Sequence, residues 1–234
     1  MSNQRALVTG GSKGVGFSIA QALIQSGFQV LITGRNPNTL DGACSELDPT
    51  GLGKVRGQVA DVRDFDALQR ASQMAAENAS LDVLIVNAGV GVFKTIDELT
   101  LEDWNSVIET NLTGAFHTVK AALPYLKAAQ GHIILISSLA GNRAFSGGAA
   151  YNASKFGLVG FAEALMLDVR QQGIRVSEIL PGSIATEFSG HPQGEKDAWK
   201  IQPQDIAQTV LNILQLPKNS LMSRVEVRPS QPIR

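Results

Sequence analysis

Seven short apolar segments recur along this chain, and most are apolar at every position rather than at alternate ones. They span residues 6–8, 30–32, 55–59, 83–86, 133–136, 176–180 and 225–227. A strand apolar on both faces must be covered on both faces, the condition of a parallel sheet between two helix layers. The last segment differs. Arg224-Val225-Glu226-Val227 alternates, which predicts an edge strand with one face near water.

Longer helical patterns separate these segments. One covers about 15–26 and stops at Gly27; another covers 203–216, starting at Pro203 and ending before Pro217. Residues 101–129 and 151–172 read as two further long helices. No linker or repeat interrupts the alternation. The pattern predicts one domain over 1–234: a single doubly wound α/β fold, a parallel seven-stranded sheet with helices on both faces.

Composition narrows the function. The net charge is -1, so no basic excess exists to neutralise a nucleic-acid backbone. Cys44 is the single cysteine, and His117, His132 and His191 lie far apart, so neither a disulfide nor a metal site is expected. No apolar run approaches the roughly 18 residues that span a bilayer. The polar start at 1–4 has no secretory pattern, which makes the cytoplasm the expected location.

The first strand runs into Thr9-Gly10-Gly11-Ser12-Lys13-Gly14-Val15-Gly16, and a helix follows. Such a turn lets backbone N–H groups and a helix N-terminus approach a pyrophosphate, although a plain tight turn would also need glycine. After the second strand stand Gly34 and Arg35, where an acid would bind a ribose hydroxyl and repel a 2′-phosphate. Arg35, with Lys13, would attract that phosphate, unless both are ordinary solvated cations. Asp61-Val62 ends the third strand, where Asp61 could equally cap a helix starting near Arg63. Asn87-Ala88-Gly89 ends the fourth.

Tyr151 and Lys155 are four residues apart in a helical pattern and share a face. An ammonium beside a phenol favours phenolate and makes a usable general acid. Ser138 ends the fifth strand, where ligands sit in doubly wound folds, but a helix cap would also explain it. Asn111 falls inside a helical pattern, a poor position for Asn unless it has a partner or simply faces solvent.

Together these residues resemble the short-chain dehydrogenase/reductase family, in its short single-domain branch, over essentially the whole chain. The pattern comprises the turn at 9–16, Asn87-Ala88-Gly89, Asn111, Ser138, Tyr151-x-x-x-Lys155 and Pro181-Gly182. The resemblance implies that Tyr151 is the catalytic acid/base, and that Lys155 holds the nicotinamide ribose. It implies that Ser138 polarises the substrate carbonyl and that Asn111 anchors a water in a proton relay. It also implies that Gly10, Ser12, Gly14, Val15, Gly16, Asn87, Ala88, Gly89, Pro181, Gly182, Ile184 and Thr186 line the cofactor cleft, with Asp61 and Val62 near adenine. Val86 departs from the family, which often has a second asparagine there. The C-terminal segment 225–234 lacks the Val-Asp-Gly-Gly type ending of the 3-oxoacyl-carrier-protein reductases.

The resulting expectation is an NADP(H)-dependent reductase of ketones or aldehydes, with a small-molecule carbonyl or alcohol substrate. The alternatives are a 3-oxoacyl-carrier-protein reductase and, in another class, a non-catalytic redox sensor. A lid is expected at about 186–200. A pocket is expected from residues 90–93, Leu139, Ala144, Phe145 and the segment 186–199; Phe145, Phe188 and Trp199 suggest that it is apolar, although core packing would explain each equally well. Apolar residues on more than one face of the two long helices, for example Phe161, Leu165 and Met166, lead to an expected homo-oligomer, a tetramer or dimer.

Overall fold

The computed structural model describes residues 4–188 and 197–232. Seven strands form one sheet: β1 (Arg5–Val8), β2 (Gln29–Gly34), β3 (Val55–Val59), β4 (Val83–Val86), β5 (His132–Ile136), β6 (Arg175–Pro181) and β7 (Arg224–Val227). Their order is β3-β2-β1-β4-β5-β6-β7, with every pairing parallel. The chain winds outward from β1 to β3, then returns to the other side of β1 for β4. Outside the carboxyl ends of β1 and β4 the connections diverge, and that crevice is where a doubly wound sheet binds ligands.

The continuous apolar runs are explained by cover on both faces. Ala6 and Val8 of β1 face one layer, with Ile19, Leu23, Ile206 and Val210, while Leu7 faces the other, with Leu84, Leu126 and Leu158. The first layer is built from α1 (Gly14–Gln25), α2 (Pro37–Leu47) and α7 (Pro203–Leu214). The second contains α3 (Phe65–Ala76), α4 (Leu101–Ile108), α5 (Gly114–Ala129) and α6 (Ala149–Val169). Each fully buried Leu or Ile contributes about 1.5–3 kcal/mol of transfer free energy, so the central strands dominate the stability of the sheet. The edge strand β7 alternates as its sequence predicts: Val225 and Val227 pack inward while Arg224 and Glu226 are exposed.

Several local features differ from the sequence reading. Residues 101–129 are not one uniform helix, because a π-helical turn, Glu109–Thr113, separates α4 from α5. Helix α2 was not legible from periodicity, yet Asn36-Pro37 is a start signal: the Asn36 side chain accepts from the Thr39 N–H at 3.1 Å. Asp61 does not cap α3. Asp64 does, accepting from the Ala67 N–H at 2.9 Å. Phe161, Leu165 and Met166 pack against the core, and the apolar side chains facing outward on α5 and α6 are Phe116, Phe156 and Leu167.

His132, at the start of β5, is buried with its Nε2 2.8 Å from the Ser177 hydroxyl. Burial, aided by the positive charge of Arg175, pushes its pKa down to about 3. The folded chain therefore keeps this ring neutral at pH values where the unfolded chain, with histidine near 6.5, binds a proton. Stability contributed by the neutral ring is complete above pH 6.5 and is lost as pH falls toward 3, on the order of 3–5 kcal/mol over the window. Urea denaturation between pH 4 and 7 should show that loss, and His132→Gln should flatten it. An equally steep loss in the variant would assign it to other groups.

Candidate active site

The crevice between β1 and β4 is held together by two polar side chains. The Thr9 hydroxyl donates to the Ile85 carbonyl at 3.2 Å and accepts from the Asn87 N–H at 3.1 Å. The Asn87 amide Nδ2 donates to the carbonyls of Thr9, at 2.9 Å, and Gly10, at 3.2 Å. Asn87 is thus a clamp on the glycine turn. Gly16 cannot be replaced, since a Cβ there would lie 2.3 Å from the Gly10 carbonyl oxygen and 2.5 Å from Asn87 Nδ2. Gly10 and Gly14 take the left-handed conformation, φ +66° and +58°. A Cβ at Gly14 would stand 3.5 Å from the Thr186 methyl group, which brings the loop after β6 to the glycine turn. Helix α1 starts here, beside Ser12 and Val15, with neither a side-chain cap nor an acid in its first turn. Its first N–H groups are left for an anion, the donor set a pyrophosphate needs.

At the ends of β2 and β3, Gly34 lies beside Ser12; a Cβ there would be 3.1 Å from the Ser12 hydroxyl. Arg35 and Lys13 are both exposed. The Asp61 carboxylate accepts from the Arg63 N–H at 2.9 Å and from its guanidinium at 2.7 Å. Arg63, with a further contribution from Arg35, holds that carboxyl below the usual carboxylate range. Val62 next to it is buried.

Ser138, Tyr151 and Lys155 meet where β5 ends beside α6. The Ser138 hydroxyl accepts from the Ala140 N–H at 3.1 Å, so it does cap the short helix Leu139–Gly141. It also faces the Tyr151 phenol and lowers its pKa. Burial is the larger effect and raises the phenol above the ordinary tyrosine range, opposite to the direction expected from an adjacent ammonium. The Lys155 ammonium lies 5.8 Å from the Tyr151 ring centre and donates to the Ile136 carbonyl at 3.1 Å. Burial brings its own pKa down to about 8.

Asn111 sits on the π-helical turn, a form often found at functional positions. It is buried rather than solvent-facing. Its side chain accepts from the Val90 N–H at 2.8 Å and donates to the Val90 carbonyl at 2.9 Å and the Ser154 hydroxyl at 3.0 Å. The loop after β4 is thereby tied to α6, one residue before Lys155. Periodicity overlooked Asn152. Its amide donates to the carbonyls of Ala140, at 2.7 Å, and Arg143, at 3.1 Å, stapling the loop after Ser138 to the helix carrying Tyr151. An Asn within a helical pattern was the available signal, as for Asn111.

Two aromatics flank Tyr151, and a third adjoins one of them. Phe93 lies 5.4 Å from Tyr151 edge-on, Phe188 lies 5.9 Å away, and Phe145 is 5.8 Å from Phe93. They are 40–46% exposed, so core packing does not account for them. Gly91 makes room for two of these rings, since a Cβ there would come 2.6 Å from Phe188 and 2.9 Å from Phe93. The Trp199 ring lies 6.0 Å beneath the Lys200 ammonium. Pro181 closes β6, and the Gly182 N–H donates to the Val227 carbonyl at 2.8 Å. Ile184 then bridges to Ile201, with the Ala185 N–H donating to the Ile201 carbonyl at 2.8 Å. The expected lid leaves and re-enters the fold at this neck, while Gly190, Pro192 and Gly194, with His191, lie outside the described residues.

Comparisons with known proteins bear on this arrangement. Residues 4–196 match the family described as short chain dehydrogenase. An uncharacterized oxidoreductase of Staphylococcus aureus is 30% identical, with 98% of each chain covered. An alcohol dehydrogenase from the archaeon Thermococcus sibiricus, complexed with 5-hydroxy-NADP, superposes with a TM-score of 0.91 at 28% identity, covering 99% of both chains. A metagenomic short-chain oxidoreductase in complex with NADP gives a TM-score of 0.85 at 35% identity, again covering 99% of both.

Proposed function

This chain belongs to the short-chain dehydrogenase/reductase family of oxidoreductases, and from that premise we propose that it is an NADP(H)-dependent reductase of ketones or aldehydes. The observation that carries the reading is the meeting of Ser138, Tyr151 and Lys155 past the carboxyl end of β5, the same end of the parallel sheet as the glycine turn after β1. A protein that only bound a dinucleotide would have no use for that set.

The crevice fits the cofactor through its left-handed glycines and the uncapped start of α1. In this reading Gly10 to Gly16 and Asn87 to Gly89 line the dinucleotide cleft, Pro181, Gly182, Ile184 and Thr186 border its nicotinamide end, and Asp61 and Val62 flank adenine. Lys13 and Arg35 would meet the 2′-phosphate. Bound NADPH supplies the hydride. Ser138 then holds the carbonyl oxygen through its hydroxyl, and Tyr151 gives that oxygen its phenolic proton. Lys155 holds the ribose and supports the charge left on Tyr151. Asn111 fixes the Val90 loop and α6 relative to one another. The exposed rings of Phe93, Phe145 and Phe188 favour a substrate with an apolar substituent beside its carbonyl. The segment 186–200 would close over it. Outward-facing Phe116, Phe156 and Leu167 on α5 and α6 favour a homo-oligomer through those helices, most simply a tetramer.

Tyr151→Phe keeps the ring packing and removes the proton donor. NADPH oxidation with a panel of carbonyl compounds should slow at least about a hundredfold, the scale of general acid catalysis, with NADPH binding retained. Near-normal turnover would sink the assignment. For the cofactor, one charge-assisted hydrogen bond contributes about 1.5–3 kcal/mol, or roughly ten- to a hundredfold in affinity. Arg35→Ala should weaken NADPH binding by that factor and leave NADH nearly unchanged, and Gly34→Asp should go further by repelling the phosphate. Titration of both cofactors decides it; equal losses for both would make Arg35 a general contact. Light scattering should find a dimer or tetramer, and a stable 24.8 kDa monomer would count against the oligomer.

A further inference from the structure

A carboxylate lies in the sheet beneath the proposed active site, and the chemistry described above does not use it. Glu178 is in the middle of β6, 2% exposed, between Ser177 and Ile179. Leaving a carboxylate there without a partner would be costly, so its surroundings matter. In register it stands beside Leu135 of β5 on one side and Arg224 of β7 on the other. Arg224 reaches it with Nε at 3.4 Å and reaches Glu163 of α6 with Nη2 at 2.7 Å. The Ser137 hydroxyl, just past the end of β5, faces it without reaching tight hydrogen-bond geometry, and the Glu178 Oε1 has no hydrogen-bond partner among the described residues. From α6 comes Lys155, whose ammonium is bonded to the Ile136 carbonyl, one register step from Glu178. Glu226, the next acid along β7, turns away to Arg228 and Asn142.

We propose that Glu178 is a positioning residue for the active site: locked from the edge strand by Arg224, its buried carboxylate keeps Lys155 charged and in place. The inference rests on the reductase reading for its consequence, but not for its physics. A fully buried ammonium tends to lose its proton, and Lys155 is brought down to about 8 by burial while Glu178 pulls it back up. Burial raises the Glu178 carboxyl above the usual range, and Ser137, Arg224 and Lys155 offset that only in part. The charged groups facing this pair are therefore Arg224 and, through it, Glu163, with Tyr151 and Ser137 as neutral neighbours. Removing the Glu178 charge leaves Lys155 with its desolvation uncompensated. It then becomes neutral at a lower pH and stops supporting a phenolate on Tyr151.

The test is the titration of Lys155, followed through its side-chain Cε resonance in lysine-labelled protein and assigned by its absence in Lys155→Met. In Glu178→Gln the midpoint should fall by about one pH unit, tenfold in proton affinity, and Glu178→Asp should recover most of it. Turnover should follow, with the alkaline limb of kcat moving down by the same amount in Glu178→Gln and back in Glu178→Asp. If Glu178→Gln does not fold, Lys155→Met gives the reciprocal measurement: the Glu178 carboxyl should titrate at higher pH than in the wild type. Unchanged midpoints in these variants overturn the proposal. The titrations need neither cofactor nor substrate, so a shifted midpoint without carbonyl turnover would instead sink the reductase reading and leave the coupling standing.

Discussion

Two carbonyls at the end of β1, those of Thr9 and Gly10, accept hydrogen bonds from the Asn87 amide at the end of β4. The glycine turn, the start of α1 and the loop leading to Val90 all depend on that clamp for their relative position. A parallel sheet leaves its strand ends without partners at the switch point, where the neighbouring connections diverge. Asn87 and Thr9 fill that gap with side-chain hydrogen bonds. The same pairing forbids any side chain at Gly16, whose Cβ would collide with both the Gly10 carbonyl and the Asn87 amide. The glycine spacing in the sequence is therefore partly a packing requirement of the clamp, independent of any ligand.

A second set of tethers repeats the device on the other side of the crevice. Asn111 joins the Val90 loop to Ser154, and Asn152 joins the loop at Ala140 and Arg143 to α6. The helix that carries Tyr151 and Lys155 is thus fixed to two loops by buried amides, each with several partners. Buried amides with satisfied donors and acceptors specify one arrangement, because any shift leaves a polar group unpaired.

Much of this was legible in the sequence for physical reasons. The central strands are buried on both faces, so they are written as continuous apolar runs, and β7 at the edge is written as an alternation. The glycine turn and the Tyr151–Lys155 pair are local in sequence and can be read locally. The rest depends on partners far along the chain. The clamp role of Asn87 needs the Thr9 carbonyl, and the burial of Asn111 needs the π-helical turn that its own segment does not announce. The height of the Tyr151 pKa reflects how deeply the ring is enclosed, which spacing cannot convey. The influence of Glu178 on Lys155 reaches from a strand to a helix through tertiary packing alone, and in sequence Glu178 is one polar residue in a mostly apolar segment.

The bridge between Ile184 and Ile201 has a consequence for how this scaffold can change. Backbone hydrogen bonds from Ala185 to Ile201, and from Ile201 to Ser183, close the chain on itself before α7 begins. The chain between those points leaves and returns at one isolated bridge. Insertions, deletions or exchange within that stretch would leave the register of β6 and the seat of α7 where they are. The fold thus separates a fixed framework from an exchangeable stretch, which can be lengthened, shortened or replaced without the scaffold having to be solved again.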